Sequence, residues 1–318
     1  EGRNLYLNSA TGAWILVLDA DERLDQNYAT ELRSMLCKNE LASAFILPRY
    51  EYIGHGKWAA VTLLRLSKRN PYFFYNAATI HTTLLPSIRE KNGIIEMLYV
   101  PIHHFDILYR NRTRKKRDVY INRMKNEIHK QTDPKFQYRF HNYLGVEYVA
   151  QGKYDDAIYQ YNIAKELHGG TIPLTNIYLA QVFLLTKDYF RAEKEIYEFL
   201  NRFKEDHYCV TEELRERAYT ILAEIAVKQG KLSRAYEICQ QIVHRYPYSH
   251  NYINLASLFD PLRESHEREI CIQKAIRKNP FLLNKEIYEP GESPNIFSHQ
   301  SSFISSSSDI LDFIRTNL

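Results

Sequence analysis

One spacing pattern in the second half of the chain constrains the fold more than any other feature. From about residue 134, a leucine is followed directly by a small residue and, four positions after the leucine, usually by a large apolar one. The copies begin at Leu144, Leu179, Leu222 and Leu255, at intervals of 35, 43 and 33 residues. A period of this length predicts a stack of helical units, each of which buries its apolar face against the next.

The residue types within each copy indicate two closely packed helices. The small residues predicted to let the first helix approach the second are Gly145, Ala180, Ala223 and Ala256. The large side chains of Tyr148 and Phe183 are predicted to fill the groove between the helices. Gly152 and Gly230 are predicted to lie in the turn within a pair, where glycine is tolerated best.

This pattern resembles the tetratricopeptide repeat, whose unit is two antiparallel helices in about 34 residues. The interval of 43 residues predicts an insertion around Phe203–Thr211. In the fourth copy Arg268 replaces the small residue of the second helix, which predicts an atypical terminal repeat. About four repeats are therefore expected over residues 129–283.

The first 110 residues follow a mixed pattern of short apolar runs, turns and one helical segment. Strands are predicted at Trp14–Leu18, Ala44–Pro48, Val61–Leu66, Ile94–Val100 and Ile102–Phe105. The first of them is a continuous apolar run and is expected to be covered on both faces. A helix is predicted at Asp25–Lys38, with Leu32, Met35 and Leu36 on one side.

The predicted fold class is therefore α/β followed by all-α. An α/β domain is expected over 1–128, helical repeats over 129–283, and a serine-rich tail over 284–318, in which Asp309 would cap a short last helix.

Three carboxylates crowd the end of the first predicted strand, in the sequence LDADE. Because side chains alternate along a strand, Asp19 and Asp21 are predicted to point the same way. Two neighbouring carboxylates repel each other unless a cation lies between them, and Mg²⁺ and Mn²⁺ prefer oxygen ligands. A purely structural acidic turn is the alternative. An EF-hand is excluded because Leu24 stands where that loop needs glycine.

The segment EGRNLYLNSATGAWILVLDADERL resembles the part of family-2 glycosyltransferases that contains their D-x-D motif. The resemblance continues through PRYEYIGHGKW, LLRLSKRN, AATIHTTLL and VPIHHFDIL, in the same order. The fusion to tetratricopeptide repeats is similar to a cytoplasmic branch that includes bacterial peptide S-glycosyltransferases. The resemblance implies the C-terminal part of a GT-A domain, which is Rossmann-like, and sugar transfer from a nucleotide-diphosphate donor, typically a UDP-sugar. The implied acceptor is a peptide, protein or glycan.

The same resemblance implies roles for individual residues. Asp19 and Asp21 would bind Mn²⁺ or Mg²⁺ and the diphosphate, and Glu22 would either contact the donor or brace the loop. His104 would complete the metal site, since Mn²⁺ accepts an imidazole beside carboxylates, or would be an ordinary partly buried histidine. Arg65 would meet a phosphate or form a structural ion pair. His103, its side chain alternating with that of His104, is expected to point away.

The catalytic base is left open by the sequence. Relatives commonly have a glutamate where this chain has Thr82, so His81, Glu51 and Asp106 are the remaining candidates. The predicted catalytic set is therefore Asp21, Glu22 and His81. The uridine-binding strands of the family precede the segment seen here, so the chain is expected to be an N-terminally truncated fragment.

The basic run Arg110–Arg117 either lies over the donor phosphates or forms a solvated helix start. A nucleic-acid patch is not favoured, because no aromatic residues interleave with the run and the net charge is only +4. The four cysteines form no C-x-x-C pair and are expected to be buried thiols. Without an apolar run of membrane length, a cytoplasmic protein is expected.

Two classes of function remain after these observations. The first is a metal-dependent glycosyltransferase whose repeats hold a peptide or protein acceptor or form a homodimer. The second is a non-catalytic repeat scaffold for protein–protein interaction that carries a remnant glycosyltransferase domain. A nucleotidyltransferase, which also uses paired aspartates, fits the repeat fusion less well.

Overall fold

The structure is a computed structural model that describes residues 2–24, 27–54, 57–75, 83–98, 100–105, 114–130, 133–203, 212–259, 264–284 and 287. The chain falls into two compact units. The first consists of Glu1–Tyr52 and Ala60–Asp106, and the second of Ile53–Ala59 and Ile107–Leu318. The sequence placed this division later, after residue 128.

The first unit combines short helices with a mixed sheet. Its elements are α1 (Gly2–Ser9), β1 (Trp14–Leu16), β2 (Glu22–Leu24), α2 (Asn27–Lys38), β3 (Ala42–Gly54), β4 (Lys57–Lys68), α3 (Leu85–Glu90), β5 (Ile94–Met97) and β6 (Ile102–His104). The five predicted strands and the predicted helix α2 are confirmed, with shifted ends.

The strands of the sheet follow the order β1-β4-β3-β6-β2, and β5 also pairs with β3. The pairs β1/β4 and β2/β6 are antiparallel, whereas β3 pairs in parallel with β5 and, further along, with β6. The register places His104 opposite Glu22 on one side and opposite Glu51 on the other. Three strands that are distant in sequence thus bring these side chains to one face.

The sheet buries two apolar clusters. One gathers Phe45, Leu47 and Ile102 with Leu32 of α2, and the other gathers Ala44 and Ile88 with Leu7 of α1. The expectation that β1 is covered on both faces is wrong, since all three of its residues are only half-buried. β1 is only half-buried because it is the edge strand of the order found among the described residues.

The second unit is helical wherever the structure describes it beyond residue 107. After α4 (Arg114–Lys130), the helices are α5 (Pro134–Ala150), α6 (Tyr154–Leu167), α7 (Pro173–Leu185), α8 (Tyr189–Arg202), α9 (Glu212–Lys228), α10 (Leu232–Arg245), α11 (Ser249–Ala256) and α12 (Ser265–Lys278). A short 3₁₀ helix, Pro280–Leu283, follows. The pairs α5/α6, α7/α8, α9/α10 and α11/α12 match the four predicted copies, and the tetratricopeptide-like organisation is confirmed.

The predicted small residues allow the close approach within each pair. A side chain at Gly145 would collide with the ring of Tyr161, which is fully buried. Ala180, Ala223 and Ala256 are likewise fully buried. A buried small residue therefore recurs in the first helix of each described pair.

The turns within the pairs use a left-handed backbone. Gly152 and Gly230 both have a φ of 72°, which glycine adopts without strain. The second pair has Lys187 at this point, with a φ of 62°. The predicted glycine turns are thus confirmed, and the second repeat accepts a strained lysine in the same role.

The fourth pair departs from the others, as its sequence predicted. Its first helix, α11, has only 8 residues, against 13 in α7 and 17 in α9. Arg268, which replaces the small residue, is half-buried. The predicted insertion is described only at Phe203, and Asp309 and the rest of the tail beyond residue 287 lie outside the described residues.

Two expectations about whole-chain properties concern cysteines and membranes. Cys239 and Cys271 are buried, and burial raises the pKa of the Cys239 thiol to about 12. Cys37 is exposed, contrary to the expected burial, because it lies on the outer side of α2; Cys209 lies outside the described residues. Over the described residues, the helices are too short or too polar to cross a bilayer.

Candidate functional site

The D-x-D motif lies in a turn between β1 and β2. The backbone N–H of Glu22 donates to the carbonyl oxygen of Asp19 at 2.9 Å, which closes a four-residue turn. The prediction of a strand-end geometry is therefore wrong, because alternation does not apply within a turn. As a result the side chains of Asp19 and Asp21 meet different partners.

Asp19 faces two arginines. Its carboxylate accepts a hydrogen bond from Arg65 at 2.7 Å and lies 3.5 Å from the guanidinium of Arg3. Partial burial alone would raise the pKa of Asp19, but the hydrogen bond and charge of Arg65, with Arg3 and Arg49, outweigh it and lower the pKa. Asp19 is therefore a carboxylate at neutral pH, and its charge is already balanced by the chain.

Glu22 is held by the protein on both carboxylate oxygens. Its side chain is 0% exposed. One oxygen accepts from the backbone N–H of Asp19 at 2.9 Å, and the other accepts from Arg49 at 2.9 Å and from Arg65. These contacts brace the turn, which was one of the two roles expected for Glu22. A direct role toward a donor stays a prediction.

Arg49 is a central residue of the site that the sequence analysis did not single out. It donates to Glu22 of β2 and to Glu51 of its own strand. Burial would lower the pKa of Arg49, but the charges and hydrogen bonds of Glu51 and Glu22 raise it. The alternation of Arg49 and Glu51 along β3 was the available signal, since residues two apart share a face.

His104 lies between two carboxylates. Its Nε2 is 3.6 Å from an oxygen of Asp21, and its Nδ1 is 3.9 Å from an oxygen of Glu51. The side chain is 9% exposed, and Nδ1 makes no hydrogen bond within the described part of the chain. Burial and the nearby Arg49 lower the pKa of His104 despite the neighbouring carboxylates, so the imidazole is neutral with a lone pair available.

His103 points to the other face of the sheet, as strand alternation requires. Its Nδ1 lies 2.9 Å from the hydroxyl of Tyr52, and the two rings stack with centroids 5.9 Å apart. Complete burial lowers the pKa of His103 to about 3. His103 therefore belongs to the core, whereas Asp21 lies in the turn between β1 and β2.

The spacing of the predicted ligands indicates whether a divalent cation fits. Adjacent ligands of an octahedral ion, each about 2.1 Å from the metal, lie about 3 Å apart, and opposite ones about 4 Å apart. The 3.6 Å between Asp21 and His104 lies between these two distances and matches neither. Asp19 is turned to the arginines, and no cluster of three metal-ligating side chains is found within the described residues. Two of the three predicted ligands are thus adjacent.

Other predicted positions lie elsewhere or outside the described residues. His81, Asp106 and residues 110–113 are not described, and neither are the side chains of 114–117 at the start of α4. A groove of about 560 Å³ lies between α2 and β5, lined by Met35, Leu41 and Glu96 among others. None of the predicted site residues lines it.

The outer helices of the repeats carry exposed apolar side chains. Tyr159 of α6, Phe190 of α8 and Leu232 of α10 are 64%, 79% and 56% exposed. In contrast, α7 is buried over most of its length, because it contacts helices of its own pair and of both neighbouring pairs. The accessible apolar surface of the described repeats therefore includes these second helices.

Ion pairs fix the register of the outer helices. Lys165 of α6 lies 2.9 Å from Glu195 and 3.0 Å from Glu198 of α8. The two most exposed aromatic side chains of the described repeats, Tyr159 and Phe190, thus lie on second helices that these ion pairs join.

No known protein family matches the sequence, and no curated protein matches it. Among solved structures, MamA is 18% identical over 55% of this chain and 95% of its own, with a TM-score of 0.41. BtubC from P. vanneervenii is 17% identical over 66% and 82%, with a TM-score of 0.45. A putative kinesin light chain from Podosopora anserina with nearly identical TPR-like repeats is 11% identical over 57% and 94%, with a TM-score of 0.41. The helix pairs of this chain themselves show its repeat organisation.

Proposed function

We propose that the repeat unit is a platform for protein–protein interaction. The observation that carries this proposal is the exposure of large apolar side chains, Tyr159, Phe190 and Leu232, on the second helices of three successive pairs. Aromatic side chains are enriched at protein contact surfaces relative to the rest of a protein surface. Aromatic residues with few rotamers give much contact area for little loss of conformational entropy.

Ion pairs hold the second helices of successive pairs together. Arg234 of α10 lies 2.6 Å from Glu193 and 2.8 Å from the hydroxyl of Tyr197, both on α8. These contacts leave Tyr159 and Phe190 exposed. Interfaces usually combine aromatic residues at the centre with polar residues at the rim.

The test is the substitution Phe190→Glu in the full chain, purified from its native host. We expect a partner present in stoichiometric amount to be lost, because a buried glutamate in the interface is strongly unfavourable. Tyr6→Glu is the matched control, since Tyr6 is 76% exposed in the other unit. Unchanged helicity and melting of both variants ensure a folded protein. A partner retained by Phe190→Glu but lost with Tyr6→Glu would contradict the proposal.

A second candidate function rests on the residues around Asp21 and His104. We propose that the first unit is the C-terminal part of a GT-A glycosyltransferase domain that uses a nucleotide-diphosphate sugar. The supporting observation is that an oxygen of Asp21 and Nε2 of His104 lie 3.6 Å apart. A divalent ion bound there would stabilise charge on a departing diphosphate. Glu22 and Arg49 would keep the turn in place.

In this second function the repeats would bind a peptide or protein acceptor. The base stays unassigned: Glu51 is paired with Arg49, and His81 and Asp106 are not described. The test is release of uridine diphosphate from UDP-sugars with Mn²⁺, comparing Asp21→Asn with Glu31→Gln, an exposed carboxylate of the same unit. Turnover that survives Asp21→Asn would exclude the role assigned to Asp21.

A further inference from the structure

A short segment from early in the sequence belongs to the repeat unit. Residues Ile53–Ala59, where β3 ends and β4 begins, group with the repeats and not with the sheet unit. Within this segment Trp58 is only 3% exposed, and its ring lies 5.7 Å from the ring of His250 on α11 in an edge-to-face arrangement. The repeat unit therefore holds a large aromatic side chain that its own helices do not supply.

The histidine that contacts Trp58 is held by an aromatic and a charged neighbour. The rings of His250 and Tyr248 stack with centroids 5.4 Å apart, and Nε2 of His250 donates to the carboxylate of Glu216 on α9 at 2.7 Å. The side chains of His250 and Glu216 are 2% and 4% exposed. The first helices of the third and fourth pairs are thus joined at the residue that Trp58 contacts.

Two buried acceptor atoms on the first turn of α11 make no hydrogen bond within the described part of the chain. They are Nδ1 of His250 and Oδ1 of Asn251, and both residues are 1% exposed. Nδ1 is an acceptor because Nε2 carries the proton that is donated to Glu216. Asn251 uses its side-chain nitrogen to donate to the carbonyl oxygen of Tyr246 at 3.0 Å. Since buried polar groups rarely lack a partner, a ligand with two N–H donors would satisfy both atoms.

We infer that α9 and α11 form a binding site for an extended protein segment with an aromatic side chain, and that the chain's own Ile53–Ala59 occupies it until a partner displaces it. The buried ring of Trp58 defines the aromatic part of the ligand, and the two acceptors match backbone N–H groups of an extended segment.

The connection of Ile53–Ala59 to β3 and β4 sets the threshold for displacement. A tethered segment competes at an effective concentration on the order of millimolar, so only a tighter partner replaces it. The site lies on first helices, whereas Tyr159, Phe190 and Leu232 lie on second helices. Failure of the inference would therefore leave the first proposed function standing.

The first experiment is fluorine NMR of the full chain labelled with 5-fluorotryptophan, which reports on Trp14 and Trp58, the two tryptophans of the sequence. The probe is an unlabelled synthetic peptide that copies residues 51–61, EYIGHGKWAAV. At millimolar peptide we expect the Trp58 signal to move toward that of a solvent-exposed tryptophan and the Trp14 signal to stay in place. The same peptide carrying Trp58→Ala should move neither signal.

The second experiment weakens the internal competitor. In fluorescence anisotropy with the labelled peptide, Trp58→Ala should bind about tenfold more tightly than the unchanged chain, because competition within the chain is reduced. Phe190→Ala, which removes an exposed aromatic side chain of the same unit, is the matched control and should bind like the unchanged chain. Adding His250→Ala to Trp58→Ala should abolish binding, and circular dichroism checks that each variant is folded.

Two results would overturn the inference. One is a Trp58 signal that the peptide does not move, which would make Trp58 an ordinary core residue; this measurement uses the unchanged chain and so decides even if Trp58→Ala does not fold. The other is equal peptide affinity of the folded Trp58→Ala chain with and without His250→Ala, which would exclude the site assigned to α9 and α11.

Discussion

At the scale of single residues, the contact between Gly145 and Tyr161 sets how closely the first helix pair packs. A methyl group at position 145 would collide with the ring of Tyr161, which is fully buried. We predict that Gly145→Ala destabilises the repeat unit by about 1–3 kcal/mol, although alanine favours helix more than glycine does.

The measurement is a double-mutant cycle in urea with Tyr161→Leu, which removes the ring. Coupling of about 1 kcal/mol is expected between positions 145 and 161. Gly152→Ala is the control, because its penalty of about 1 kcal/mol comes from a φ of 72° and not from contact with a ring. Additive effects of Gly145→Ala and Tyr161→Leu would contradict this account of the packing.

A histidine in the first repeat makes stability depend on pH. The backbone N–H of Ile172 donates to Nδ1 of His168 at 3.3 Å, so the proton resides on Nε2, which donates to Thr175 at 3.0 Å. Burial lowers the pKa of His168 to about 4. Protonation of Nδ1 would remove the bond from Ile172, which is why the neutral form is favoured.

The sign of the effect follows from the lowered pKa. The unfolded chain binds a proton near pH 6.5 and the folded chain only near pH 4, so stability is complete above pH 6.5 and declines as the pH falls toward 4. We predict a loss on the order of 1 kcal/mol between pH 7.5 and pH 5 that is smaller in His168→Asn. The check is thermal melting of both proteins at the two pH values, and equal losses would refute it.

At the scale of secondary-structure elements, α8 has a side-chain cap. The carboxylate of Asp188 accepts from the backbone N–H of Arg191 at 3.0 Å, directly after the strained Lys187. We predict that Asp188→Ala lowers the stability of the repeat unit by about 1 kcal/mol, and that Asp188→Asn retains most of it. Urea unfolding followed by circular dichroism measures both, and equal stability of the two variants would exclude a capping role.

Elements whose structure is determined by residues close together in the sequence were predictable. The helix pairs follow from small residues at fixed spacing and from turn glycines, all within about 34 residues. The D-x-D turn was not predicted, since the apolar run before it suggested a longer strand than Trp14–Leu16. The strand β2 is only three residues long and its pattern ERL has no clear alternation.

At the scale of the whole molecule, the mixed pattern of the first 110 residues and the repeat pattern of the second half correspond to two units with separate cores. The core of the repeats is continuous from Val149 to Ile225, whereas the sheet unit has its own clusters. Among the residues of the candidate site, Asp21 and His104 were predicted from sequence. The role of Arg49 depends on the pairing of β3 with β6 and of β6 with β2, and no local pattern encodes such pairings.

If the outer face of the repeats binds a protein partner, photo-crosslinking should capture that partner. The experiment places a benzoyl-phenylalanine at position 190 of the full chain in its native host. Position 6, another highly exposed aromatic site, is the control. We expect one discrete crosslinked protein from position 190, either a second copy of this chain or another protein, and none of it from position 6. The same diffuse products from both positions would exclude a specific protein contact at this face.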